Sequence, residues 1–134
     1  MPKQFLTLDM AKKAAAAAHA EAQKNGWSVT ITILDQSGLL AYVERMDDAP
    51  VSSMEISRQK GYAAIAFKRP TKAFEEQLVS GRIGVLRLQG CIPVEGGVPL
   101  VLPDGSMVGA IGISGVTAAQ DGQCAQTGAN ALLK

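Results

Sequence analysis

The chain has 134 residues, 47 % hydrophobic and 19 % charged, which suits one packed domain and excludes a chain disordered by composition. Thirteen Lys and Arg against twelve Asp and Glu leave a formal net charge of +1, so no global field gathers nucleic acid or an acidic membrane. No apolar run is long enough to cross a bilayer.

Met1-Pro2-Lys3-Gln4-Phe5-Leu6-Thr7 runs straight into an amphipathic pattern. A basic start followed by an apolar core and cleavage site is not seen, so a cytoplasmic location is expected. Thr7 suits an N-cap, Asp9 a first helical turn and Gly26 a stop, which predicts a helix over Leu8 to Asn25. Its interior, Ala14 to Ala18 with Ala20 and Ala22, offers little bulk and invites close approach by another backbone or a second subunit.

Val29, Ile31 and Ile33 alternate with Thr30 and Thr32, which predicts a strand over Trp27 to Leu34. Asp35-Gln36-Ser37-Gly38 is a turn signal, and Leu39 to Val43 returns as the second arm of a hairpin with Arg45 emerging at its end. After Asp47-Asp48-Ala49-Pro50, helical spacing predicts a helix over Val51 to Phe67. Pro70 ends it, and Thr71 caps a short helix through Leu78. A second hairpin is predicted from Val98 to Leu102 and Met107 to Ile113 around Pro103-Asp104-Gly105. A last helix starts from Thr117 or Ser114 and runs through Leu133. This order predicts an α+β domain over 1–134, with helices around one antiparallel sheet. Neither a dinucleotide-binding Gly-x-Gly-x-x-Gly nor a Walker lysine motif occurs.

The segment Cys91-Ile92-Pro93-Val94-Glu95-Gly96-Gly97-Val98-Pro99-Leu100 sets one carboxylate among prolines and paired glycines. Pro cannot donate to a central ladder, and Gly lets another group approach the chain closely. Glu95 is therefore either a turn-capping acid or a functional one. Arg45 is its candidate partner: a guanidinium clamps a carboxylate through two hydrogen bonds, and a Glu in a partly apolar pocket with a raised pKa moves protons. A structural ion pair, or two unrelated surface groups, is the alternative.

Asn25-Gly26-Trp27 ahead of the Asp35-x-x-Gly38 hairpin, Arg45-Met46-Asp47 and Phe67-Lys68-Arg69-Pro70-Thr71 resemble the GlcG/HbpS-like haem-binding family (DUF336). So do Pro93 to Leu100, Gly109-Ala110-Ile111-Gly112-Ile113-Ser114-Gly115 and Gln120-Asp121. The resemblance covers nearly the whole chain. It implies a profilin-like fold with a single five-stranded antiparallel sheet flanked by helices, assembled into dimers or larger rings, so a dimeric, tetrameric or octameric homo-oligomer is expected. The family includes secreted haem-binding redox sensors, a domain attached to corrinoid adenosyltransferases, and small proteins encoded beside catabolic enzymes.

The haem reading needs a ligand. His19, the only histidine, lies mid-helix without an obvious aromatic-lined pocket, and Leu39 stands where many relatives carry a histidine. Met46, Met54 and Met107 read as core filler. Paired histidines, a Cys-x-x-Cys clip and a His-Glu-x-x-His helix do not occur, so no metal site is expected. Cys91 and Cys124 read as inert free thiols.

The expectation is accordingly a cofactor-independent hydrolase or isomerase of a catabolic pathway. It would act on a small unsaturated carboxylate by hydrolysis, imine cleavage or tautomerisation. Glu95 and Arg45 would be catalytic, with Gly96, Gly97, Lys68, Arg69 and Thr71 binding substrate. The alternatives are a haem-binding or redox-sensing module and a non-catalytic accessory oligomer.

Overall fold

The computed structural model describes residues 4–134. Helix α1 (Leu8–Lys24) is followed by β1 (Thr30–Asp35), β2 (Leu40–Arg45), α2 (Ser52–Ala66) and α3 (Thr71–Val79). A 3-10 turn (Ile83–Arg87), β3 (Gly97–Val101), β4 (Met107–Ser114), α4 (Ala118–Asn130) and a 3-10 turn (Ala131–Leu133) complete the chain.

The caps of the first and last helices act as the residue types predict. Thr7 Oγ1 accepts from Met10 N at 3.1 Å. Thr117, not Ser114, opens the last helix, through a reciprocal capping box with Gln120. Thr71 does not cap α3. Pro70 occupies that position, because the Thr71 hydroxyl is turned inward to accept from Gly97 N at 2.9 Å.

The sheet has four antiparallel strands in the order β2-β1-β4-β3, which corrects the five-stranded sheet expected from the family resemblance. The alternating residues supply only two hairpins, and no further strand forms among the described residues. Between α3 and β3 the chain makes a 3-10 turn and then local turns, with Cys91 N donating to Leu88 O and Val94 N to Ile92 O. Pro93 lacks an N–H and cannot donate to a ladder, and Gly96, at φ +137°, lies just before the first paired residue of β3, Gly97. Pro99 is accommodated because β3 is an edge strand.

The two faces of the sheet bury different chemistry. Ile31, Ile33, Ile111 and Ile113 face α1 and α4, each with no exposed surface. Burying such a side chain contributes about 1.5–3 kcal/mol. The alanines of α1 pack against the same chain's α4: a Cβ on Gly128 would sit 2.8 Å from Ala14 O. On the other face, hydroxyls pin α2 to the sheet, Thr30 to Ser53 and Thr32 to Ser57, both at 2.7 Å. Gly112 of β4 lies directly under Ser57 and Gly61, leaving no room for a side chain. Helices on both faces give a three-layer sandwich with its hairpins at opposite edges.

Candidate functional site

Glu95 lies just before β3 and lines a cavity of about 330 Å³ with Lys72, Gly96, Gly97, Gly122 and Gln123. Its carboxylate rests on α4 at Gly122, where any Cβ would collide with it. Burial pushes the Glu95 carboxyl above its ordinary value, with Glu75 and Glu76 reinforcing the shift and Lys72 and Lys60 opposing it. Its backbone N–H donates to Glu75 Oε1 at 3.0 Å.

Three of the predicted residues thus share one cavity, but the others are elsewhere. Thr71 is fully buried, and its hydroxyl takes up the Gly97 N–H, so that amide is not free for an anion. Lys68 lines a separate cleft with Gln36, Ile65 and Met107. Arg69 lies over the Phe74 ring at 5.4 Å.

Arg45 does not meet Glu95. It ends β2, at the opposite edge of the sheet from β3. Arg45 pairs with Thr30 and Thr30 with Ser114, while Ile113 N donates to Gly96 O. The two residues are therefore at the same end of the sheet but three strand spacings apart, roughly 14 Å at ~4.8 Å each. Arg45 instead borders an open cleft of about 430 Å³ with His19, Gln23, Glu44, Met46 and Asp47.

Within that cleft, α1 and β2 bring together side chains 25 positions apart. His19 Nδ1 lies 2.7 Å from Glu44 Oε2, and Tyr42 Oη donates to Glu44 Oε1 at 3.2 Å. Tyr42 and Glu44 are two apart on one strand and so point to the same face. An ionised carboxylate only accepts, so in a neutral imidazole a bond donated from Nδ1 would leave the lone pair on Nε2. Burial raises the Tyr42 phenol, and the charge of Glu44 raises it further, which keeps it a donor.

A second constellation escaped the sequence reading. Lys60 and Asp121 are each only 2 % exposed, and Lys60 Nζ donates to Asp121 Oδ2 and to Ile113 O, both at 3.0 Å. Asp121 Oδ1 accepts from Val116 N at 3.1 Å. Burial pushes the Asp121 carboxyl up, opposed chiefly by Lys60. The only hint in the sequence was a lysine three residues after Ser57 in a helix whose neighbours are small. Among the described residues, no group of three or more His, Cys, Asp or Glu is placed to hold a metal ion. No described helix is long and apolar enough to cross a membrane.

Residues 6–130 match the family model described as "Haem degrading protein HbpS-like". Protein GlcG of Escherichia coli (strain K12) is 42 % identical over 112 residues, 84 % of this chain and 83 % of GlcG. A double mutant of Streptomyces reticuli HbpS superposes with a TM-score of 0.88 at 29 % identity, covering 100 % of this chain and 91 % of that one. The "PduOC:Heme Complex" superposes with a TM-score of 0.84 at 26 % identity, covering 98 % of this chain and 100 % of that one. The expectation of an acid-base enzyme for a small unsaturated carboxylate is overturned. The family model and one solved relative are described by haem, and the two side chains meant to carry that chemistry stand at opposite edges of the sheet.

Proposed function

This chain belongs to the HbpS-like family, and we propose that it acts there as a haem-binding module, in which His19 would hold the iron. The observation that carries the reading is the state of that imidazole. Its Nδ1 is taken by Glu44, and its ring borders an open cleft. Metal-ligating histidines usually donate their other ring N–H to a carboxylate or carbonyl in this way.

Two further residues of the lining suit the group. Met46 lines the same cleft, and a thioether is a second haem ligand type. Arg45 is exposed on its rim, where a guanidinium suits the propionate carboxylates. Haem, when bound, supplies the iron's redox and gas-binding chemistry; the protein's part is to hold and orient it. The homo-oligomer and the cytoplasmic location belong to this proposal too, to be tested by light scattering of the purified protein and by cell fractionation.

The test is a haemin titration of apo-protein followed by absorbance. Saturable one-to-one binding with a shifted Soret band, lost in His19→Ala, is expected. Non-saturating binding by the wild type would rule the reading out. Saturable binding that His19→Ala leaves intact would remove His19 as ligand.

A further inference from the structure

We infer that Glu44 and Tyr42 are positioning residues for His19, holding its ring with Nδ1 protonated and Nε2 bare toward the cleft. The inference rests on the haem reading for what Nε2 takes; the geometry is a property of the apo-protein. His19 reaches β2 from the mid-turns of α1 and meets Glu44 at 2.7 Å, and the other Glu44 oxygen accepts from Tyr42 at 3.2 Å. Both carboxylate oxygens are thus occupied by donors from two different elements. The carboxylate cannot swing away from the imidazole without giving up the tyrosine.

The environment strengthens the effect. The His19 and Glu44 side chains retain 39 % and 26 % of their surface, so the hydrogen bond is partly withdrawn from water. Neutral imidazole in water favours the proton on Nε2, which would block that nitrogen as a ligand. A carboxylate accepting from Nδ1 reverses that preference and makes the ring a stronger electron donor. Arg45, Asp47 and Asp48 also line the cleft, but none is hydrogen-bonded to the imidazole. Tyr42 adds a fixed donor that steers Glu44.

Because His19 is the only histidine, one pair of ring nitrogen signals reports the tautomer. We would record long-range proton–nitrogen correlations on labelled apo-protein well above the ordinary imidazole titration near ~6.5. Wild type, Glu44→Ala and Glu44→Gln would be compared, and each titrated with haemin. The wild type is expected to show a protonated Nδ1. Glu44→Ala should revert to the Nε2–H form and bind haemin about 10–100-fold more weakly. Glu44→Gln keeps an acceptor without the charge, so it should keep the wild-type tautomer with an intermediate affinity.

A wild type already in the Nε2–H form, or a tautomer unchanged in Glu44→Ala, would overturn the inference. Equal haemin affinity in wild type and Glu44→Ala would also overturn it, while leaving haem binding itself standing. Expected tautomers with no haemin binding would support the positioning pair and sink the haem reading instead.

Discussion

Lys60 Nζ lies 3.0 Å from Asp121 Oδ2, and through that contact α2 on one face of the sheet is tied to α4 on the other. Both side chains are almost wholly buried, and Asp121 also accepts from the Val116 amide that leads into α4. Breaking one side of a buried pair leaves an uncompensated charge, which costs about 3–5 kcal/mol. Lys60→Met and Asp121→Asn are each expected to lose stability on that scale in urea unfolding. The double variant Lys60→Met with Asp121→Leu should recover a large part of the loss. Single variants as stable as wild type would show that the pair does not hold the layers together.

Gly112 leaves α2 no clearance, since a Cβ there would run into Ser57 O and sit 2.6 Å from Gly61 N. Gly112→Ala should therefore cost at least about 1–3 kcal/mol through overpacking. Gly84 has nothing within 4 Å of a built Cβ, so Gly84→Ala should change stability by no more than about 0.5 kcal/mol. Thermal melts of the two variants make the comparison, and equal effects would contradict the close docking of α2.

The Glu95 carboxyl titrates above its ordinary value of 4.5 in the folded chain, chiefly because it is partly desolvated. A raised folded pKa means that the contribution to stability is fully present below the unfolded value and is lost as pH rises through the folded one. Glu95→Gln carries no such titration. Its melting temperature relative to wild type should climb as pH is raised from below 4.5 toward neutrality, and a flat difference would refute the shift.

Cys124 is fully buried, with its thiol pushed up to about 11 by burial first and by Glu21 and Asp121 next. Cys91 is half-buried and raised by burial alone. With a thiol-specific chromogenic reagent at mildly alkaline pH, native protein should release one slow equivalent, from Cys91. The second should appear only on unfolding, since the thiolate is the reactive form. Two fast equivalents in the native state would contradict this burial.

Under the haem proposal, the two residues once expected to share a site should separate. Arg45→Ala is expected to weaken haemin binding about two- to fivefold, in keeping with ~0.5–1 kcal/mol for an exposed charge pair. Glu95→Gln, in a different cavity, should leave haemin binding unchanged. The reverse ranking would move the haem to the β3 edge.

The residue order alone determined the elements of this fold. The Thr30-Ile31-Thr32-Ile33 alternation, the Asp35 to Gly38 turn, and the Thr7 and Thr117 caps act within a few positions, so the helices and both hairpins were legible to within a few residues. The fifth strand was not: it came from the family resemblance, and no stretch of the chain carries its alternation. Tertiary structure decided which side chains meet. The strand order β2-β1-β4-β3 sends Arg45 and Glu95 to opposite edges. Helix docking brings His19 to Glu44 across 25 positions and Lys60 to Asp121 across 61. Periodicity and capping are local signals carried by neighbouring residues, whereas pairing between elements depends on register and layer packing, which only the folded chain supplies.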